Sequence, residues 1–187
     1  LPSSLPLVAT VQWDNAATAL AALQALADAD DAVMPMTRAD LVRAATGLAD
    51  ARLPGRLERL SDDPDIVVDV GHNPQAAQAL AQWLRYDGAG RITDVVFSAL
   101  ADKDIIGIVE PLLPWVLRWH LCGLTAQSPR GLSVDAVAER LVGIVPEDRI
   151  HRHRTVAAAL SAALASIGRD ERLLAFGSFH VVAEARK

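Results

Sequence analysis

Hydrophobic and polar positions divide the chain into two parts, of which the first predicts helices. Residues 15–27 form an alanine- and leucine-rich run that is apolar almost all round, which favours a helix packed on several sides. Asp14 or Asn15 is placed to cap this helix, and Thr37 is placed to cap a second one. We expect the acidic stretch at residues 28–31 to be a solvated loop between them.

Beyond residue 56 the pattern changes to short apolar strands alternating with helices, and residues 54–56 mark the change. Strands are predicted at residues 66–70, 93–97, 116–122, 149–151 and 173–176, and helices at 74–83, 105–113, 133–141, 156–167 and from 179 or 180 onward. Strands that are apolar throughout indicate burial on both faces. The sequence therefore predicts an α/β fold, a mostly parallel sheet with helices on both faces, preceded by a helical segment.

Composition and charge narrow the possible partners. Of the 187 residues, 51% are hydrophobic and 22% are charged, and the net charge of −5 leaves no basic face for nucleic acid or for an anionic membrane. No apolar run approaches the roughly 20 residues that span a bilayer, and the first residues do not have the form of a signal peptide. The single Cys122 cannot form an internal disulfide, so we expect a cytoplasmic protein. Separately, we expect the protein to be a monomer.

Polar residues follow three of the predicted strands, at the end where open parallel sheets bind ligands. After the first of these strands come Asp69 and His72, with Gly71, Asn73 and Pro74 suited to a strand-to-helix turn. Turn and cap preferences account for those last three without any function. Asp69 and His72 are harder to explain, because a carboxylate at the end of a buried strand needs a partner or a solvated cleft. If Asp69 faces a ligand, Asp69→Ala should keep or raise the stability.

The other two strand ends carry weaker signals. Asp104 can cap the helix that follows it, and the charged residues 102–104 are otherwise a solvated turn. Ser178 is placed as an ordinary N-cap, and His180 inside the next helix is more often a surface residue than a catalytic one.

Motifs that would hold a metal or phosphate are weak or missing in this sequence. His151 and His153 share one face of a short strand, but two histidines with no carboxylate or cysteine nearby are a poor signal, so we expect no metal site and a surface position. No G-x-x-x-x-G-K-[ST] phosphate loop, G-x-G-x-x-G turn or G-x-S-x-G elbow occurs. Cys122 ends an apolar strand and is predicted to be a core thiol.

Five segments, in this order and spacing, resemble the C-terminal part of bacterial folylpolyglutamate synthase, commonly bifunctional with dihydrofolate synthase, in the Mur ligase superfamily. They are Asn15-Ala-Ala-Thr-Ala-Leu-Ala-Ala-Leu, Leu53-Pro-Gly-Arg56, Asp69-Val-Gly-His-Asn-Pro74, Leu100-Ala-Asp-Lys-Asp-Ile105 and Phe176-Gly-Ser-Phe-His180. Each is weak alone, but together they extend the resemblance over nearly the whole chain. Two departures touch no polar motif residue: Gly71 stands where the family more often has alanine, and the loop at residues 28–36 is longer than usual. The resemblance implies a Rossmann-like sheet of the Mur ligase C-terminal domain type.

The resemblance also implies an ATP-dependent ligase. Members of this family use ATP and Mg²⁺ to convert a substrate carboxylate into an acyl phosphate, from which the amine of L-glutamate displaces phosphate to form an amide. Matched residue by residue, Asn15, Arg56 and Asp69 fall on nucleotide-contacting positions. His72 and Ser178 match positions of the glutamate and catalytic cleft, and His180 is a weaker substrate-binding candidate. The implied substrates are L-glutamate with dihydropteroate, folylpolyglutamate or both.

The same resemblance implies a division of the chain. Residues 1–53 correspond to the helical tail of an N-terminal ATPase domain, residues 54–56 to an interdomain linker, and residues 57–187 to a C-terminal glutamate ligase domain. The family's phosphate loop, magnesium ligands and most of its pterin pocket belong to the rest of the ATPase domain. We therefore expect this chain alone to be inactive.

Two alternatives stay open from the sequence. Another Mur-type ligase, acting on a peptidoglycan precursor, would share the fold and the segment 69–74, although segments 102–104 and 178–180 favour the folate type. A non-catalytic α/β binding module is the second alternative, against which the intact polar motifs argue.

Overall fold

A computed structural model describes residues 10–29, 37–87 and 91–187 of the chain, which divides into two units, Leu1–Leu53 and Pro54–Lys187. The first unit contains the helices α1 (Thr10–Ala27) and α2 (Arg38–Gly47), and a 3₁₀ turn at Leu48–Asp50.

Helix α1 begins earlier than the sequence predicted. The prediction that Asp14 or Asn15 caps it is wrong, because both lie inside the helix, where Asn15 Nδ2 donates to Oε1 of Gln12 at 3.1 Å. No glycine or proline interrupts the stretch from Thr10 to Ala27, so the helix extends over all of it.

Helix α2 is capped as predicted. Thr37 accepts the N–H of Asp40, and the Asp40 carboxylate accepts the N–H of Thr37. Of the predicted acidic loop, residues 28 and 29 follow α1 without helical structure, and residues 30–31 lie outside the described residues.

The second unit alternates strands and helices. Its elements are β1 (Glu58–Asp62), β2 (Asp65–Asp69), α3 (Pro74–Asp87), β3 (Thr93–Phe97), α4 (Ile105–Val109), β4 (Val116–Cys122), α5 (Val134–Glu139), β5 (Ile150–His153), α6 (Val156–Ser166), β6 (Arg172–Phe176) and α7 (Phe179–Ala185), with 3₁₀ turns at Glu110–Leu112 and Glu147–Arg149. The side chains of Asn73, Asp104 and Ser178 each accept a backbone N–H from the first turn of the following helix, so these three predicted caps are confirmed.

The six strands form one sheet in the order β1-β2-β6-β3-β4-β5. All neighbours pair in parallel except β1 and β2, so the predicted mostly parallel α/β fold is confirmed. The sequence analysis missed β1, because this edge strand has the polar sequence Glu-Arg-Leu-Ser-Asp and carries no apolar run.

Helices cover both faces of the sheet. Helix α3 contacts α4, and α6 contacts α7; the right-handed crossovers between parallel strands place the two pairs on opposite faces. Core residues under α6 and α7 include Val96, Cys122 and Ala175. Phe97 and Trp119 point to the other face and make an edge-to-face contact with ring centroids 6.3 Å apart. No helix in the described part of the chain is long and apolar enough to cross a membrane.

Candidate functional site

The three predicted strand ends lie side by side, because β6 is inserted between β2 and β3. Asp69 is in register with Phe176, and Phe176 with Phe97, so the three chains leave the sheet at one edge. The segments that follow line a cleft of about 230 Å³. Its lining includes His72, Lys103, Arg130, Ser178, Phe179 and His180.

His72, which lines this cleft, has one ring nitrogen bound to the backbone. The ring Nδ1 lies 2.9 Å from the carbonyl oxygen of Val70, and because a carbonyl can only accept, Nδ1 carries the hydrogen. The Nε2 of the neutral ring is then a lone-pair acceptor. The ring of Phe179, itself 62% exposed, lies with its centroid 6.3 Å from that of His72 and forms the neighbouring wall.

Ser178 and His180 enter the cleft through the first turn of α7. Ser178 is buried, and its Oγ accepts the N–H of Val181 at 3.2 Å, which leaves the hydroxyl hydrogen free to point elsewhere. The turn before it needs Gly177, with φ of +103°, where an added Cβ would lie 2.4 Å from the carbonyl oxygen of Ser98. The structure thus brings together His72, Ser178 and His180, and their predicted roles in catalysis and substrate binding stay predictions.

The sequence analysis did not predict that two cations, Lys103 and Arg130, lie together in this cleft. Lys103 Nζ lies 3.1 Å from one oxygen of Asp102, and Arg130 Nη1 lies 3.4 Å from the other. These contacts hold the pKa of Asp102 below its ordinary value, chiefly through the hydrogen bond from Lys103. Two positive charges share one carboxylate, so the group keeps a net positive charge that can attract an anion.

A long-range contact places these cations together. Leu100 forms an isolated antiparallel bridge with Gly131, and the N–H of Ala101 donates to the carbonyl oxygen of Arg130 at 2.9 Å. In the sequence, Lys103 follows a strand end and lies in one of the five segments that carry the resemblance. Nothing local connects it to Arg130, 27 residues further on.

Asp69 is engaged by the protein's own backbone. Its Oδ2 accepts the N–H of Leu57 at 2.8 Å, and its Oδ1 accepts the N–H of Gly71 at 2.6 Å. Burial raises the pKa of this carboxyl, and the two N–H groups oppose that effect. These bonds argue against the expectation that Asp69→Ala keeps or raises stability, because the substitution would leave two backbone N–H groups without their acceptor.

The remaining nucleotide candidates lie in different units. Arg56 is exposed at the start of the second unit, and its charge opposes the rise that burial causes in the pKa of Asp69. Asn15 is exposed on α1 in the first unit. Nucleotide contacts of Arg56, Asp69 and Asn15 stay predictions.

His151 and His153 join a third histidine that the sequence pattern did not connect to them. The buried His120 on β4 places Nδ1 3.1 Å from Nε2 of His153, and its ring stacks on His151 with centroids 5.0 Å apart. His151 is exposed, as predicted, whereas His153 is half-buried. Across residues 10–29, 37–87 and 91–187, no group of three or more histidine, cysteine, aspartate or glutamate side chains is arranged to hold a metal ion.

Cys122 is a core thiol, as predicted. It is fully buried, and burial raises its pKa to about 12, so it is not a nucleophile at neutral pH.

Comparison with known proteins places this geometry in a family. The model of the Mur ligase glutamate ligase domain matches residues 55–179. The dihydrofolate synthase/folylpolyglutamate synthase of Escherichia coli K12 is 36% identical over 183 residues, which cover 96% of this chain and 38% of that protein. The enzyme of the same name from Mycobacterium tuberculosis is 39% identical over 137 residues, which cover 72% of this chain and 26% of that protein. The chain thus spans less than half the length of these relatives.

Solved structures give the same result. The Mycobacterium tuberculosis folylpolyglutamate synthase complexed with ADP matches with a TM-score of 0.81 and 30% identity, over 97% of this chain and 40% of that one. The bifunctional Yersinia pestis enzyme with Mn, AMPPNP and L-glutamate bound matches with a TM-score of 0.74 and 31% identity. The match covers 97% of this chain and 39% of that one. Since the family model covers well over half of the sequence and the fold agrees, the chain belongs to the Mur ligase family, and residues 55–179 are its glutamate ligase domain.

Proposed function

We propose that this chain is the C-terminal ligase part of a longer ATP-dependent enzyme that joins L-glutamate to dihydropteroate, folylpolyglutamate or both. The observation that carries the proposal is the cleft at the carboxyl ends of the strands, which His72, Lys103 and Arg130 line together within a glutamate ligase domain. The relatives named dihydrofolate synthase/folylpolyglutamate synthase support the folate substrate.

In this proposal residues 1–53 are the tail of an ATPase domain, residues 54–56 a linker and residues 57–187 the ligase domain. ATP with its magnesium ion supplies the phosphoryl group that turns the substrate carboxylate into an acyl phosphate, with ADP as the leaving group. Arg56 suits the polyphosphate, because its guanidinium is exposed and forms no ion pair within the described part of the chain. On the same resemblance we also assign nucleotide contacts to Asn15 in the first unit and to Asp69 in the second. We assign the magnesium ligands to the ATPase domain, as the family resemblance implies.

The residues of the cleft suit the second step. The ammonium group of L-glutamate must lose a proton before its nitrogen can attack the acyl carbon, and Nε2 of His72 is the available acceptor. The nitrogen forms the amide bond as the bond to phosphate breaks. Lys103 and Arg130 bind carboxylate oxygens of the incoming L-glutamate, and the Ser178 hydroxyl and His180 donate hydrogen bonds to the reacting groups.

The test is a ligase assay with the full-length protein that contains this chain. ATP, Mg²⁺ and L-glutamate are supplied with 7,8-dihydropteroate, tetrahydrofolate or a UDP-linked peptidoglycan precursor, and ADP and the glutamyl product are measured. We expect equal amounts of ADP and product with a pterin substrate. Product from the UDP-linked precursor alone would identify another Mur-type ligase, and no turnover of any substrate would favour a binding module.

A matched pair of variants links the activity to the cleft. His72→Gln should abolish most of the ligation, whereas His151→Gln, the same change on an exposed histidine of β5, should leave it intact. Equal activity of both variants would contradict the assignment of His72.

A further inference from the structure

We propose that Phe179 is the residue that keeps water from the acyl phosphate, so that ATP is consumed only when an amide is formed. The inference rests on the proposed function and deepens it, because it assigns the separation of ligation from hydrolysis to one side chain.

The proposed reaction needs a residue with this role. A water molecule can attack the same acyl carbon as the nitrogen of L-glutamate: its oxygen bonds to the carbon, the bond to phosphate breaks, and its proton passes to Nε2 of His72. The products are the original carboxylate and free phosphate, so the net reaction is hydrolysis of ATP. Because His72 accepts a proton from either nucleophile and water is in large excess, the base by itself does not favour the amine.

Phe179 gives this base an apolar neighbour. It is the first residue of α7 and lines the cleft, and its ring centroid lies 6.3 Å from that of His72, with the ring planes at 49°. The ring carries no hydrogen-bonding group, unlike the adjacent Ser178 and His180, so it neither binds nor activates a water molecule. Phe179 thus fills space beside the base with a group that excludes water.

The fold holds this ring outside the core. Phe179 is 62% exposed, whereas Val181 and Val182 of the same helix are buried and attach α7 to the sheet. Among the described residues, it is the only exposed large apolar side chain that lines this cleft. A substrate that fills the cleft would cover the ring and remove its apolar surface from water. The ring therefore suits a role with the substrate and contributes little to folding.

The preceding turn fixes the point from which the ring projects. Gly177 has φ of +103°, and Oγ of Ser178 accepts the N–H of Val181, so both residues before the ring and the first turn after it are held in place. The origin of the ring next to His72 is therefore defined, although the ring itself is not packed in the core.

Size and apolar character are what this role requires, and two substitutions separate them. Phe179→Leu keeps a large apolar side chain, whereas Phe179→Ala opens the position to water. Neither should shift the urea midpoint much, because the ring is largely exposed. Tyr86→Ala is the matched control, since the Tyr86 ring is 78% exposed near the end of α3 and does not line the cleft.

The experiment measures ADP and glutamyl product in the full-length enzyme, supplied with ATP, Mg²⁺, L-glutamate and either 7,8-dihydropteroate or tetrahydrofolate. The unsubstituted enzyme, Phe179→Leu and Tyr86→Ala should form equal amounts of ADP and amide, whatever their rates. Phe179→Ala should form about twice as much ADP as amide or more, and without L-glutamate its ADP formation should exceed that of the unsubstituted enzyme about tenfold.

Equal amounts of ADP and amide from Phe179→Ala would overturn the inference, because a ring that only binds substrate or shapes α7 changes the rate and not this ratio. Excess ADP from Phe179→Leu would do the same, since an apolar side chain would then not suffice. Sustained ADP formation by the unsubstituted enzyme without L-glutamate overturns it with no variant at all, because water then reaches the acyl phosphate past Phe179. No amide from the unsubstituted enzyme with either pterin would contradict the proposed function, and the inference with it.

Discussion

Lys103 and Arg130 give the sharpest test of how the cleft recognises L-glutamate. The perturbation is Lys103→Met or Arg130→Met, each of which removes a charge and keeps a flexible apolar side chain. The side chain of Lys103 is 26% exposed and that of Arg130 is 66% exposed, so water screens Lys103 less. The two substitutions should therefore differ in size.

The magnitudes follow from this difference in exposure. A charge-assisted hydrogen bond from a largely buried cation is worth about 1.5–3 kcal/mol, so Lys103→Met should raise KM for L-glutamate about tenfold to a hundredfold. An exposed ion pair is worth up to about 1 kcal/mol, so Arg130→Met should raise it up to about fivefold. Asp102→Asn should lower KM, because Asp102 competes with the substrate for both cations.

The assay is steady-state ligation by the full-length enzyme, with KM for ATP measured on the same preparations. Neither cation variant should change KM for ATP, and Arg169→Met, an exposed arginine on the loop before β6, should change neither constant. An unchanged KM for L-glutamate in folded Lys103→Met, or a raised KM in Asp102→Asn, would refute the reasoning.

Three further predictions concern single features of the second unit. His72→Gln should lower kcat about 10²- to 10⁴-fold and change KM for L-glutamate little, since a general base acts on the step and not on binding; a change confined to KM would contradict this role. Arg172→Met should lower the free energy of unfolding by about 3 kcal/mol in urea titrations, because Arg172 is fully buried and its Nε pairs with the buried Asp65 at 2.7 Å. A loss below about 1 kcal/mol would mean that the other arginines facing Asp65 suffice. Burial and the neighbouring His120 lower the pKa of His151 and His153 from 6.5, so the folded state disfavours the protonated form of both rings. The free energy of unfolding should therefore keep this contribution above about pH 6.5 and lose it as the pH drops below that value. Between about pH 7.5 and pH 5 the melting temperature should fall less in the double variant His151→Gln/His153→Gln, and equal slopes would show that the pair does not contribute.

The sequence by itself determined the family and most of the local elements, with the polar edge strand β1 and the start of α1 as exceptions. The caps Thr37, Asn73, Asp104 and Ser178 were predictable, because each depends on one side chain and the N–H groups two or three residues away. The apolar strands were also predictable, because a strand that is buried on both faces appears in the sequence as a continuous apolar run. The motif at residues 69–74 marked one part of the site, and together with four other segments along the chain it carried the resemblance.

Tertiary structure alone decided which of these residues meet. The insertion of β6 between β2 and β3 aligns Asp69, Phe97 and Phe176, although they lie far apart along the chain. The bridge of Leu100 with Gly131 is what joins Lys103 to Arg130.

The same holds for two contacts that the sequence pattern did not show. No local pattern shows that Asp69 accepts the N–H of Leu57, which lies twelve residues upstream. His120 reads as one more residue of an apolar strand until pairing of β4 with β5 brings His153 to it. Periodicity and capping report interactions within a few residues, whereas strand order and loop pairing depend on contacts whose partners no local pattern specifies.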